Sequence, residues 1–466
     1  MHSFQNESLS HDPIHGYIPF TSSVGLPEGE VSEEQIIDHP WVQRLRQIHQ
    51  LQGAWWVFPS AEHTRFQHTV GAMHLGSLAV EALDESLREV CPDVPSRGYV
   101  ESLVRLAALL HDVGHGPFGH LFDSQVLVDY GLTHETLGSE IIRRELAGLI
   151  RRVRRNPHAA LEADETLDPE QIAYLITRPK DPAGSDAPRW LHFLRSLFSG
   201  LYTVDNMDFV LRDAYMSGYS TRAFDLQRLL YYSFYSQRGL TIHERGLSAL
   251  VRFIAVRAEL FHAIYFHRTV RAIELMLQEL MARSKHHLLS GSPAEHLDEY
   301  FELTEWSLLA KVGQWHTSED PSLRELGGRW QRFLARQIDW KMACERTIFF
   351  RPGEPERSSV FGDEATFEAA VRRELPAELR DLPLRVDTAR HVHRPGGRVP
   401  AAGQNFLYEP ATERILDLDD RELFRRVAGS FRLCRVYAQD GRHNAQLAAA
   451  MQRLTGGGGA DDLTNM

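Results

Sequence analysis

The sequence predicts a mainly α fold, with a small β-hairpin inside the helical core and a smaller C-terminal α+β lobe. Three observations carry this. From residue 33 to about 340, apolar residues recur at helical spacing, as at Leu83, Leu87 and Val90. Residues 101–112 are apolar nearly all round (Leu103, Val104, Leu106, Leu109, Leu110), the mark of a buried helix. From about 345 the pattern changes, and β-like runs at Thr347–Phe350, Leu382–Val386 and Asn405–Tyr408 alternate with loops and charged helices.

Taken in order, residues 1–32 are turn-rich (Asp12-Pro13, Gly16, Gly25, Pro27, Gly29) and are expected to wrap a larger body. The helical core is assigned to 33–340. Within it, Val113-Gly114 and Gly116-Pro117 stop the buried helix. Residues 231–243 read as a hairpin turning near Arg238-Gly239, and one long helical stretch follows over about 246–283. The lobe spans 345–455. Arg394–Gly403, with two prolines and three glycines, reads as a mobile loop, and 456–466 as a disordered tail. No repeat is visible at periods of 20–50 residues.

With 466 residues and a hydrophobic fraction of 43%, the chain has ample material for a core. Lys and Arg total 51 against 63 Asp and Glu, a net charge of −12, which argues against a coat of nucleic acid or an anionic membrane surface. No apolar run reaches membrane-spanning length, and the first residues lack the pattern of a signal peptide. Cys91, Cys344 and Cys434 are far apart, which fits a reducing, cytoplasmic setting without a disulfide framework. The unusual feature is the 24 histidines, residues able to bind metal and to move protons.

The densest cluster is LLHDVGHGPFGH, holding His111-Asp112, His115 and His120. A buried imidazole beside a buried carboxylate is costly unless something offsets it, and a divalent cation does. Alone, an HD dipeptide is more often a capping Asp beside a satisfied His; its company reverses that reading. His68 stands upstream at the start of a helix. Downstream, Asp205, Phe209 and Asp213 are four apart in LYTVDNMDFVLRD and share one helix side, with Asp208 as a competing carboxylate. Two imidazoles and two carboxylates from three helices form a mixed N/O set suited to Mn, Fe, Ni or Zn, with Mg less favoured.

The order H…HD…D resembles the HD-domain metal-dependent phosphohydrolases. DPIHG (12–16), VQRLRQIHQLQGAWWVFPSAEHTRFQH (42–68), HDVGHGPFGHLFD (111–123), THE (133–135) and VDNMDFVLRD (204–213) narrow the resemblance to the deoxynucleoside triphosphate (dNTP) triphosphohydrolases. It is closest to their SAM-and-HD-domain branch, here without the SAM domain, and runs from about residue 10 to 455. The resemblance implies metal ligands at His68, His111, Asp112 and Asp205, with Asp205 preferred over Asp208. It implies catalytic groups at His115, His134, Glu135, Arg65, His120 and Asp123. In that reading His115 or His134 protonates the departing 5′-oxygen, Glu135 holds the imidazole's tautomer and Arg65 steadies phosphoryl charge. Gln50, Leu51, Asn206, Phe209, Asp213, Arg257 and Tyr265 fall on substrate-binding positions. Arg257 and Tyr265, eight residues apart, span about 12 Å along a helix. Asp38, Gln43, Arg46 and Arg268 fall on the positions of an activating nucleotide site, bound by GTP or dNTP, at a tetramer interface. His63 and His74 receive no role.

The implied reaction is attack of water on the α-phosphorus of a dNTP, releasing deoxynucleoside and inorganic triphosphate, with Mg accompanying the phosphates. Two substrate positions depart from the family: Asn206 stands in place of a Lys and Phe209 in place of a Tyr. Losing the cation weakens the polyphosphate grip by roughly 1–3 kcal/mol. At the activator positions, the Lys expected before DPIHG is absent, with Ser8 and its neighbours there, and Arg268 replaces another Lys. A second enzymatic reading therefore keeps the site but takes nucleoside monophosphates or another phosphate ester. A third is a non-catalytic sensor of nucleotide or single-stranded nucleic acid.

Overall fold

The computed structural model describes residues 7–177, 186–350, 360–392, 406–418 and 430–455. The expected loop Arg394–Gly403 and the tail 456–466 lie outside the described residues. The chain opens on an antiparallel hairpin, β1 (Glu7–Asp12) and β2 (Gly16–Thr21), where a turn-rich wrap was expected. Asp12 builds its turn by accepting from the backbone N–H of Ile14 and His15 through Oδ1, both at 2.9 Å. Ile18 on β2 is fully buried in the main core.

Two long helices form the centre. Arg65–Val90 carries a capping box at Thr64 and Gln67, and Arg97–Leu110 starts on Ser96, whose hydroxyl accepts from the Tyr99 N–H. Every residue from Gly98 to Leu110 is buried, as the apolar run predicts. The second helix ends at His111, and the loop after it leads into a short helix, His120–Gln125. The helix His134–Ile141 begins on Thr133, Pro169–Ile176 on Asp168 and Val204–Met216 on Thr203.

The predicted hairpin is β3 (Ser233–Ser236) and β4 (Gly239–His243). The single helix expected over 246–283 is instead two. Leu247–Leu260 runs into a π-helical turn, Phe261–Tyr265, closed by the Phe266 N–H on the Phe261 carbonyl at 2.8 Å. A new helix, Arg268–Leu288, starts after the extended His267. No Gly or Pro marks the break. Packing sets it: Phe261, Tyr265 and Phe266 cluster with Ala389, Phe431 and Leu433 of the C-terminal sheet.

Glu305–Gln314 and Pro321–Leu334 continue the helical body. The remaining strands are β5 (Lys341–Phe350), β6 (Leu384–Val392), β7 (Phe406–Glu409), β8 (Arg414–Asp417) and β9 (Ser430–Ala438). An antiparallel sheet has the order β5–β9–β6 and is covered by Glu364–Glu374 and Asn444–Leu454 around Phe367, Val371, Leu447 and Met451. β7 pairs parallel with β4, so the predicted hairpin grows into a sheet of order β3–β4–β7–β8. The segment expected as a smaller α+β lobe also supplies strands to the core hairpin, and Leu407, Leu418 and Tyr437 join the main core. Among the described residues no helix is long and apolar enough to cross a membrane.

Candidate active site

Three helices bring His68, His111, Asp112 and Asp205 together. His68 sits in the first turn of Arg65–Val90, His111 and Asp112 follow the end of Arg97–Leu110, and Asp205 is in the first turn of Val204–Met216. The His68 and His111 Nε2 atoms are 3.3 Å apart. Asp205 Oδ1 lies 3.2 Å from His68 Nε2 and 3.7 Å from His111 Nε2, and Asp112 Oδ1 is 3.4 Å from His111 Nε2.

The opposite nitrogens are already engaged. His111 Nδ1 donates to the Ala108 carbonyl at 2.7 Å, and His68 Nδ1 meets Asp208 Oδ2 at 2.8 Å. Both rings therefore point Nε2 lone pairs at the same point, where two carboxylates also converge. That donor set fits a divalent cation. With only protons to balance the carboxylates, burial would push the His68 imidazole down, but bonds and charge from Asp205 and Asp208 raise it to about 10.

Asp208 stands behind the cluster rather than in it. Its carboxylate accepts from Arg212 Nε and Nη2 and from His15 Nε2, while Arg212 also reaches Asp12. The DPIHG segment thus supplies two residues, Asp12 and His15, to the group that orients His68. Gly71 allows this: a Cβ there would lie 2.1 Å from Asp208 Oδ1 and 2.2 Å from Arg212 Nη2. No spacing in the sequence exposes this outer layer, because its members are separated by nearly two hundred residues.

A second group adjoins the first. The His115 and His134 rings stack at 3.7 Å with planes 12° apart, and His134 Nδ1 meets Asp123 Oδ2 at 2.5 Å. His120 Nδ1 is 3.5 Å from the same oxygen. Burial, reinforced by Arg65 and His134, holds His115 well below the usual imidazole range, so it is neutral. Of the two stacked rings, His134 lines the cavity and His115 does not. The partner of His134 Nδ1 is Asp123, where Glu135 was expected; Glu135 lines the cavity. Arg65 Nη1 donates to Asp112 Oδ2 at 2.6 Å.

Both groups border a cavity of about 370 Å³. Of the sequence-predicted residues, Gln50, Leu51, Arg65, His111, Asp112, His120, His134, Glu135, Asp205, Phe209, Asp213 and Tyr265 line it. His68, His115 and Asp123 stand behind that wall. Arg257 and Asn206 are absent from the lining; Arg257 is buried and donates to the Leu201 carbonyl at 3.0 Å. The π-turn places Tyr265 so that its hydroxyl donates to Asp213 Oδ2 at 2.5 Å. Asp213 Oδ1 meets His63 Nε2 at 2.7 Å, which gives His63 a partner in the cavity wall that the sequence did not suggest. Backbone bonds from Gln50 N to His63 O and Arg65 N to Ile48 O hold these segments side by side. Gln52, Arg271 and Glu274 also line the cavity and were not anticipated. Asp38, Gln43 and Arg46 form a surface chain through Gln43, and no described hydrogen bond or ion pair links Arg268 to it.

The HD domain family matches residues 65–176, the stretch carrying His68, His111, Asp112, His115 and His134. A protein of Bacillus subtilis named "Uncharacterized protein YwfO" is 27% identical over 74% of this chain and 79% of its own length. The human deoxynucleoside triphosphate triphosphohydrolase SAMHD1 is 26% identical over 92% of this chain and 70% of its own. The bovine SAMHD1 is 26% identical over 81% of this chain, which spans just under two thirds, 65%, of that enzyme. The crystal structure of a hypothetical protein from Aquifex aeolicus covers 96% of this chain and 100% of that one, at a TM-score of 0.68 and 22% identity, a likeness of fold. Residues 65–176 thus match an HD domain, which implies a divalent metal, and over most of its length the chain is similar at low identity to SAMHD1 triphosphohydrolases.

Proposed function

We propose that the protein is a metal-dependent dNTP triphosphohydrolase. The observation that carries the reading is the shared cavity: the His68–His111–Asp112–Asp205 cluster opens onto the same space as the Tyr265–Asp213–His63 group. Asp213, held by two donors, offers remaining lone pairs to a sugar 3′-hydroxyl. The Tyr265 ring presents a flat wall that suits a sugar lacking a 2′-hydroxyl. Leu51, Phe209, Ile176 and Phe198 offer apolar surface to a base.

In this reading His68, His111, Asp112 and Asp205 hold one divalent transition metal (Mn, Fe, Ni or Zn), which when bound supplies Lewis acidity at the α-phosphate. Arg65 steadies charge on the phosphoryl oxygens. His134, oriented by Asp123, donates a proton from Nε2 to the 5′-oxygen as the bond from that oxygen to the α-phosphorus breaks. The oxygen of water ends on the triphosphate. We extend the proposal to nucleotide activation in a homo-oligomer through Asp38, Gln43, Arg46 and Arg268. The supporting features are the 43–46 network and the family positions alone.

A second reading, hydrolysis of nucleoside monophosphates, is favoured by one specific feature. Among the described residues, Arg65 and Arg271 are the only Arg or Lys side chains in the cavity lining, with Asn206 and Arg257 outside it. Product analysis separates the two. Metal-loaded protein given each dNTP, with and without GTP, should release deoxynucleoside and inorganic triphosphate. Pyrophosphate, orthophosphate or turnover confined to monophosphates would sink the first reading.

A further inference from the structure

His115 and His120 are joined by Gly116-Pro117-Phe118-Gly119, a loop with two successive left-handed residues, Phe118 (φ 61°) and Gly119 (φ 53°). Glycine adopts that conformation readily; phenylalanine does not, and it persists only where the surroundings hold it. Three distant side chains do so. Tyr300 Oη donates to the Gly114 carbonyl at 2.8 Å, and Arg44 Nη1 donates to the His115 carbonyl at 2.6 Å. Glu305 Oε1 accepts from the Phe118 N–H at 3.0 Å.

Glu305 is fully buried at the start of the helix Glu305–Gln314. Its charge is met by His49: the backbone N–H of His49 donates to Oε1 at 3.2 Å, and the ring Nδ1 contacts Oε2. His49 Nε2 reaches the more exposed Glu62 at 3.1 Å, and the ring stacks on Trp55 at 4.2 Å. Arg44, His49, Tyr300 and Glu305 all lie outside the 65–176 stretch matched by the HD family.

We propose that Glu305 is the positioning residue of the His115–His120 loop, its carboxylate held by His49 and its Oε1 fixing Phe118 so that the His115 imidazole faces the metal cluster and the His120 imidazole the cavity. This rests on the reading of that cavity as a hydrolytic site. The bond is to a backbone N–H, so what matters is an acceptor oxygen at the right distance. Glu305→Gln keeps that oxygen; Glu305→Ala removes it; Glu305→Asp withdraws it by one methylene.

The test uses the metal-loaded full chain with two readouts: steady-state kinetics on the phosphate compound that the wild type turns over, and imidazole NMR signals of His115 and His120, assigned with single His→Gln variants. Glu305→Ala is expected to lose roughly 10- to 100-fold in kcat, as a displaced catalytic group does, with KM changed less than about threefold. The His115 and His120 signals should move. Glu305→Gln should restore both readouts, and Glu62→Gln, which removes the other carboxylate on His49, should leave both unchanged. Should Glu305→Ala fail to fold, Glu305→Asp carries the same expectation. A folded Ala or Asp variant with unmoved signals and unchanged kcat overturns the proposal, as does a Gln variant as impaired as Ala. The NMR readout judges the clamp even where no dNTP is hydrolysed, so a wrong substrate and a wrong clamp give different results.

Discussion

At the residue scale, the cluster's metal-binding power depends on which nitrogen each histidine presents. His68 presents Nε2 because Asp208 takes Nδ1. Asp208→Asn keeps the size but no longer fixes that tautomer, and losing such a partner commonly costs 10- to 100-fold in metal affinity. Chelator competition should show a loss of about that size, whereas Asp205→Ala should abolish turnover in a protein that still folds. His74 makes a different prediction. Burial, then the charges of His15, Arg105 and His158 against that of Asp12, push its imidazole down from 6.5 to about 4, and its Nδ1 has no partner among the described residues. Between those two values the unfolded chain binds a proton that the folded chain refuses. Stability therefore falls as pH drops through that window and loses nothing more from this group below it. At pH 5 the loss is about 1–2 kcal/mol, and His74→Phe should flatten the pH dependence of the urea midpoint between pH 7 and 5. The four residues that converge, His68, His111, Asp112 and Asp205, were legible as a group because each sits in a motif of local spacing. His63, Asp12, His15 and Arg212 were not, because the bonds His63–Asp213, His15–Asp208 and Asp12–Arg212 join segments distant in the chain, and a local Asp208–Arg212 pair is ordinary on a helix.

At the element scale, the periodicity that places Asp205, Phe209 and Asp213 on one helix side was readable, and all three line the cavity. The interruption at Phe261–Tyr265 was not. Its residues are ordinary helix material, and the contacts that stop the helix come from strands more than a hundred residues later. The close contact of Arg65–Val90 with Val204–Met216 depends on Gly71, a helical glycine with no turn to mark it. Gly71→Ala would improve helix propensity by about 1 kcal/mol. It would also drive a methyl group into the buried Asp208–Arg212 pair, where overpacking costs typically 1–3 kcal/mol. The clash wins, so the variant should be less stable by denaturant midpoint and should bind metal more weakly. A more stable Gly71→Ala would mean that the helices separate freely and that their contact does not set the His68 geometry.

At the scale of the whole molecule, the cavity is lined by residues 50–274 and backed by the C-terminal strands, which the expected boundary near 345 obscured. Composition changes there, but pairing partners do not follow composition: β7 joins β4, and β6 anchors the helix Arg268–Leu288. The anchor is Arg271. It lines the cavity, donates from Nε at 3.0 Å and Nη2 at 2.6 Å to Asp387 Oδ1 on β6, and from Nη1 to Glu274 at 2.6 Å. Glu274 in turn accepts from Gln52 at 2.7 Å. Asp387 is fully buried, so its removal leaves Arg271 with one carboxylate in a low-dielectric wall. Breaking a buried pair from one side typically costs about 3–5 kcal/mol, whereas replacing both members with apolar groups is often neutral. Asp387→Ala should therefore lower stability by about that amount and raise KM, because the cavity wall moves with Arg271. The double variant Arg271→Met, Asp387→Leu should recover most of the stability and leave KM raised, since the cation itself is gone. Chemical denaturation and kinetics on the three proteins decide it. If the single and double variants are equally unstable, the strands hold the wall through Phe261, Phe266 and Phe431 alone, and the ion pair is incidental to the cavity.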